Sequence, residues 1–452
     1  MISFFKQSAI ILVLNILNLQ AASMTLDEAI SLLKEQNLEI KASVLEAKNA
    51  KNDILLSQGY NYGSLDFTQN TIRSNDAGNV FGFKLSSREA SFGNFGFADF
   101  STTNPDILSV QPHDLNYPDY QNYFQSKLTY AIPLYTGGKL NSYEKIAQEM
   151  EKIKQLDTAS VTAEKIYQIR KSYYDMALLE HSIEKLSIMQ KNITILQTTT
   201  KEMFKEGYAK KVDLLEVEAK KANLDRMLFE MEANKKLLYH YLSFLLNQNI
   251  TEITIPSDDR AKSTISEADV LANNSDLKKA SHGLTVSSSM VDAANAPFLP
   301  TIGVFAEASS ADNTFLGSFS DHAAYTIGAR LSWNLFNGGI DENTLEKSRI
   351  NRLKASTQFE LAKKGIALQV DKIQTQIESF DYQVSSLEKE LELADQITKN
   401  YEGRYREHLT SMSDLIIKQS AQIEKIINLQ MVKNQRNERI FFLEKLSYGA
   451  VQ

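Results

Sequence analysis

A chain of 452 residues, 43% hydrophobic and 23% charged, can bury a large core and is too apolar to be a disordered polymer. Its formal net charge of -7, without any long run of Lys and Arg, argues against a nucleic-acid binder. Cysteine is absent, which excludes disulfides, thiolate metal sites and a lipid-modified cysteine at a mature N-terminus.

Residues 1–23 read as a signal peptide. Lys6 supplies a positive start, Ala9 to Leu19 is mostly apolar, and Ala21-Ala22-Ser23 offers small residues for cleavage. No later stretch reaches the ~20 apolar residues of a spanning helix. The rest of the chain therefore stays soluble outside the cytoplasm or crosses a membrane as strands. Thr25 to Lys41 predicts one amphipathic helix, with Leu26, Ala29, Leu33 and Ile40 apolar. A strand is expected near Tyr60 to Thr71, then a long loop over Arg73 to Tyr120, rich in Gly, Asn, Asp, Ser and aromatics. Lys127 to Tyr135 alternates as a strand does, with Leu128, Tyr130, Ile132 and Leu134 on one face.

After the pair Gly137-Gly138 the pattern becomes helical. Lys139 to Met203 has neither Gly nor Pro, and Ile166, Ile169, Tyr173, Met176, Leu179, Ile183 and Leu186 fall three and four apart. Such a helix would be ~100 Å long at 1.5 Å per residue. Gly207 breaks it, and Val212 to Asn247 makes a second helix, folded back as an antiparallel hairpin.

The same order then recurs. Ser266 to Lys278 resembles the first helix, a strand is expected near Pro300 to Ser309, and Ala324 to Phe336 alternates cleanly. Gly338-Gly339 follows, 201 residues after the first pair, and each pair is preceded by a matching Leu: Leu134-Tyr135-Thr136 and Leu335-Phe336-Asn337. Helices are expected from Asp341 to about Tyr401 and from Ser413 to Ser447, with a tip near His408. At the same offset Phe204-Lys205-Glu206 meets Tyr405-Arg406-Glu407, and Asp213-Leu214 meets Asp414-Leu415. This is a tandem duplication, with copies at 24–255 and 256–452. The first copy carries about 36 additional residues in its loop, by the difference between the front and rear offsets.

Chemistry-bearing motifs are missing. There is no Gly-x-Gly fingerprint, P-loop, His-Glu-x-x-His or Gly-x-Ser-x-Gly, so no enzyme, metal site or cofactor is expected. Four strands are too few for a closed membrane barrel, which takes at least eight. Either several chains share a barrel, or the strands form a small soluble sheet packed on helices.

The duplicated Leu-aromatic-x-Gly-Gly turns and the hairpin tips resemble outer-membrane efflux proteins of the TolC type. So do Phe81-Gly82-Phe83-Lys84-Leu85, Ala98-Asp99-Phe100 and Leu115-Asn116-Tyr117-Pro118. The resemblance covers nearly all of the chain after residue 23. It implies a mainly α protein with a transmembrane β part: a homotrimeric, twelve-stranded barrel in outer-membrane lipid, continued by a periplasmic helical barrel. It implies a passive exit duct of a tripartite efflux or type I secretion system, working with a periplasmic adaptor and an inner-membrane pump of the RND or ABC type. By position, Asp213, Tyr405 and Asp414 would gate the entrance, and Gly207, Tyr208 and His408 would dock the adaptor. Gly137, Gly138, Gly338 and Gly339 would turn strand into helix. The chain departs from the family's lock at Thr410, where an arginine is usual, and at Ile417, where a second ring aspartate is usual. Helix N-capping is an equally direct reading of Asp213 and Asp414. The competing reading of the whole chain is a secreted coiled-coil scaffold or adhesin with no pore.

Overall fold

The computed structural model describes residues 23–256, 264–315, 317, 320–407 and 409–448. The signal-peptide segment before Ser23 lies outside the described residues, as does His408. In chain order the elements are α1 (Leu26–Gln36), α2 (Leu38–Gly59), β1 (Ser64–Ser74), α3 (Ala77–Ser86), α4 (His113–Asn116), β2 (Gln121–Thr136), α5 (Lys139–Lys205) and α6 (Lys211–Leu246). Then come α7 (Glu267–Asn273), α8 (Ser275–Asn295), β3 (Thr301–Asp312), β4 (Ala323–Ser332), α9 (Ile340–Arg406) and α10 (Met412–Leu446). The chain divides into two compact units: Glu46–Gln155 with Lys279–Glu360, and the remainder. Each unit draws on both halves of the sequence.

The helical unit has two matching cores. In the first, Ala29 and Leu33 of α1 pack with Ile166, Ile169, Tyr173 and Met176 of α5 and with Leu242, Leu245 and Leu246 of α6. In the second, Val270 of α7 packs with Val370, Ile373 and Ile377 of α9 and with Ile440, Leu443 and Leu446 of α10. The long helices α5 and α9 are each 67 residues long and start 201 residues apart.

The single helix expected over Thr25 to Lys41 is two helices broken at Asn37. The buried Asn37 side chain accepts from the N–H groups of Glu39 and Ile40, both at 3.0 Å, and donates to the Leu245 carbonyl at 2.8 Å. It thus starts α2 as a cap while tying it to the end of α6. Asn274 does the same between α7 and α8, accepting from Asp276 and Leu277 at 3.0 Å and donating to the Leu446 carbonyl at 3.0 Å. Amide side chains, rather than Gly or Pro, make both breaks.

The other unit holds one antiparallel sheet in the order β1-β2-β3-β4, so that its central pair joins the first half of the chain to the second. The strand expected from Tyr60 starts at Ser64, because a helical turn continues through Tyr62. The strand expected to reach Phe336 ends at Ser332, and beyond it the Asn334 side chain accepts from the Phe336 N–H at 3.2 Å. The long loop is not featureless: α3 and a series of short helical turns fold within it.

Gly137, Gly138, Gly338 and Gly339 all have positive φ, between 64° and 81°. They are not equally constrained. A Cβ on Gly137 would sit 2.5 Å from the Ala296 carbonyl oxygen, whereas one on Gly338 meets nothing within 4 Å. Gly338→Ala should cost only the left-handed strain of about 1–2 kcal/mol. Gly137→Ala adds a backbone clash and should cost about 3 kcal/mol or more. Comparing folded yield and thermal dissociation of the two variants checks the difference; equal effects would remove the close approach as its cause.

Candidate functional site

The hairpin tips belong to the helical unit. At the first, α5 ends with Gly207 at φ 79°, the Gly207 N–H bonds to the Phe204 carbonyl at 3.1 Å, and the Tyr208 N–H bonds to Met203 at 2.8 Å. These are the two bonds of a Schellman cap, which needs a left-handed residue where Gly207 stands. A Cβ there would meet nothing within 4 Å, so backbone conformation and not crowding within the chain selects glycine. At the second tip the Leu409 N–H reaches the Arg404 carbonyl at 2.8 Å, repeating the Tyr208 bond 201 residues on. Tyr208 is 81% exposed, and Tyr405 lies exposed in the last turn of α9.

Asp213 and Asp414 sit at matching places, one turn further in than a cap residue. The Asp213 carboxylate accepts from the Lys210 N–H at 2.7 Å. The Asp414 carboxylate accepts from the Ser411 hydroxyl at 2.6 Å and from the Ser411 N–H at 3.4 Å, while the Asp414 N–H donates back to Ser411 Oγ at 3.0 Å. The second arrangement is a full capping box and the first is half of one. Thr410, which stands where the resemblance would place an arginine, donates its hydroxyl to Asp414 at 3.3 Å. The Ser411 hydroxyl and then its N–H hold the Asp414 carboxyl below the ordinary carboxylate range. Its charge and its capping contribution are therefore complete above the unfolded value of about 3.9 and disappear as pH falls through the lower folded value. Among the described residues no hydrogen bond or ion pair joins Tyr405 to either aspartate; Tyr401 is the nearby tyrosine that meets cations, with Lys418 Nζ 5.5 Å and Arg404 Cζ 5.6 Å from its ring centre.

A polar seam between α5 and α10 has no sequence motif to announce it. Glu438 accepts from Tyr167 and Lys171, both at 3.0 Å; Glu164 pairs with Lys445 at 2.6 Å; and Arg170 pairs with Glu444. Asn434 donates to Asp175 at 2.8 Å and Asn192 to Gln419 at 2.7 Å, nearer the tips. Burial and the Glu438 carboxylate push the Tyr167 hydroxyl far above its ordinary value, so it serves as a fixed donor. Within the hairpins the ion pairs repeat as the sequence does: Lys235 with Glu180 in the first, Arg436 with Asp381 in the second.

In the other unit the sheet has two different faces. Directly paired residues share a face. One row across the four strands is Leu65, Tyr130, Ala306 and Ile327; the next is Phe67, Leu128, Ala308 and Tyr325. Leu65, Phe67, Tyr325 and Ile327 are 64%, 68%, 82% and 75% exposed. The opposite face carries the row Asp66, Thr129, Glu307 and Thr326, with Lys127 paired to Glu307 at 2.9 Å. Large apolar side chains thus point into open space on one side, and ionic groups occupy the other. No described helix is long and apolar enough to cross a membrane. The described residues also hold no group of three or more His, Asp or Glu able to bind a metal.

Residues 268–440 match the family model described as outer membrane efflux protein. No curated protein sequence matches the chain. Among solved structures, the CmeC outer membrane channel of Campylobacter jejuni aligns with a TM-score of 0.76 at 13% identity, covering 94% of this chain and 86% of that one. The open-state MtrE outer membrane channel of Neisseria gonorrhoeae gives 0.75 at 15%, covering 94% and 89%. The outer membrane protein VceC of Vibrio cholerae gives 0.72 at 15%, covering 94% and 95%. At such identities the likeness establishes the fold. The match to the outer membrane efflux protein family thus lies within the second half of the chain, and the fold of the whole is the one seen in these outer membrane channels.

Proposed function

We propose that three copies of this chain close one twelve-stranded barrel, and that the resulting pore is the passive exit duct of a tripartite efflux or type I secretion system. The observation that carries the reading is the sheet: four antiparallel strands, with β1 and β4 unpaired at its edges, exposing an apolar face opposite an ionic one. Unpaired edges cannot stay open in lipid, where every backbone polar group needs a partner. Pairing β4 of one copy with β1 of the next removes both edges and turns the apolar face outward.

In this reading the two tips form the periplasmic entrance. Asp213, Tyr405 and Asp414 act at its narrow end, and Gly207, Tyr208 and His408 meet a periplasmic adaptor. An inner-membrane pump of the RND or ABC type supplies the energy. The two copies, each with its own hairpin, give a pseudo-sixfold ring. The test is fractionation followed by an unheated gel. A trimer that needs detergent for extraction supports the duct; a soluble monomer would instead favour the secreted scaffold.

Three Asp414 carboxylates around a narrow tip would attract cations and repel anions. Asn is the informative replacement, because it keeps an oxygen for the Ser411 cap while removing the charge. Asp414→Asn should lower the cation-over-anion permeability ratio by about two-fold in planar bilayers. An unchanged reversal potential sinks the ring assignment without touching the capping role.

A further inference from the structure

A groove in the helical unit lies where α6 and α10 both meet α5, and every residue lining it belongs to that unit. On one side Gln190 of α5 donates to Asp225 of α6 at 2.6 Å; on the other Asn192 donates to Gln419 of α10 at 2.7 Å. Met189 and Ile193 line the gap between these contacts. Leu186, Ile193, Leu224, Ile416 and Ile423 are its buried lining, and Met189, Met227 and Met431 are its more open one. The groove holds about 760 Å³, within the ~300–1,000 Å³ typical of sites for drug-sized organic molecules. Three unbranched, polarisable thioethers let such a lining adapt to the shape of an apolar body.

The duplication shows that the fold does not require an open apolar groove at this level. At the offset of 201, Met189 corresponds to Glu390 and Leu224 to Lys425. In the second hairpin these two side chains form an ion pair at 2.6 Å, bridging α9 to α10. The first hairpin has apolar side chains at both places and leaves them unbridged.

Charge selects the occupant. Lys220 and Glu424 are the ionisable side chains in the lining. Lys220 is paired with Glu216 at 2.8 Å. Glu424 has no ion pair or hydrogen bond among the described residues, and the adjacent Lys425 is taken up by Glu390. Asn428, one turn further along α10, likewise has an amide without a partner among the described residues. An apolar lining beside one unpaired carboxylate favours an apolar body carrying a positive charge and repels an anion of the same shape.

We propose that this groove is a binding site for an apolar organic cation, with the body against Leu186, Ile193 and Ile423 and the charge beside Glu424. The site lies within one chain and stands independently of the proposed barrel. Tetraphenylphosphonium and tetraphenylborate, nearly equal in size and shape and opposite in charge, are the probes. Equilibrium dialysis of the purified full chain in nonionic detergent, corrected against protein-free detergent, measures the binding of each. The expected result is that tetraphenylphosphonium saturates at one site per chain and tetraphenylborate shows no saturable binding. Glu424→Gln should weaken tetraphenylphosphonium binding by about five-fold or more. Asn428→Trp, which fills the groove from its polar edge, should abolish it. Both positions are exposed, and an unchanged thermal unfolding midpoint shows that each variant is folded. Equal binding of the two ions, no saturable binding of the cation, or an affinity that a folded variant leaves unchanged overturns the proposal.

Discussion

Ile327→Arg is expected to abolish assembly in the outer membrane, whereas Thr326→Arg, one residue away, is expected to be tolerated. Ile327 lies in the exposed row with Leu65, Tyr130 and Ala306; Thr326 lies in the ionic row with Asp66, Thr129 and Glu307. An arginine facing lipid near the middle of a barrel strand costs about 2–4 kcal/mol, and the cost recurs in every copy, reaching roughly 6–12 kcal/mol for a trimer. At position 326 the guanidinium would instead stand beside the Glu307 carboxylate, on the side already carrying the Lys127 pair. The measurement is the amount of trimer extracted from outer membranes for each variant. Equal tolerance of both substitutions would show that the apolar face does not meet lipid.

Asn37→Ala is expected to have the second largest effect, and Asn274→Ala to match it. Each amide is 3% exposed and makes three hydrogen bonds to backbone. Alanine leaves a buried carbonyl unsatisfied, at about 1–3 kcal/mol, and removes a helix cap worth about 1 kcal/mol more. The expected loss is about 2–4 kcal/mol per site. Asn37→Ser keeps an oxygen for the cap but cannot reach Leu245, so it should recover about 1 kcal/mol. Protease resistance of the assembled protein during heating reports the order Asn, Ser, Ala. If alanine at 37 proves neutral, the tie between α2 and α6 is ornamental; if only one site responds, the two copies are not equivalent in energy.

The long helices, their tips and the paired glycine turns were legible in the sequence because each is governed by local rules. Helical spacing without Pro fixes α5, α6, α9 and α10, and a shared offset fixes their correspondence. What escaped depended on distant partners. The break at Asn37 carries no breaker residue; it exists because an amide finds the Leu245 carbonyl, more than two hundred residues away. Helix α3 hides among Gly78 and Gly82, poor helix formers, and is held by the packing of Val80 and Phe83. The capping roles of Asp213 and Asp414 were readable in kind but not in place, since Ser411 and Lys210 take the cap position and the carboxylates reach back to them. The seam of Tyr167, Lys171 and Glu438 was invisible, because charged residues on long helices look alike until their neighbours are known.

The pairing of β2 with β3 has a consequence for the order of folding. Thr136 meets Thr301 and Phe124 meets Asp312, so the central ladder joins residues some 165 to 190 positions apart. Before that junction forms, β1 with β2 and β3 with β4 are separate two-stranded hairpins, which are marginal in water. The entropy of closing so long a connection is reduced if the α5–α6 hairpin forms first, since its contacts are local. In the proposed assembly the order of events is then helices, junction, barrel. If three copies close the proposed barrel, each chain spends the interval with Leu65, Phe67, Tyr325 and Ile327 uncovered, in need of protection from aggregation until the strands of its neighbours pair with its own.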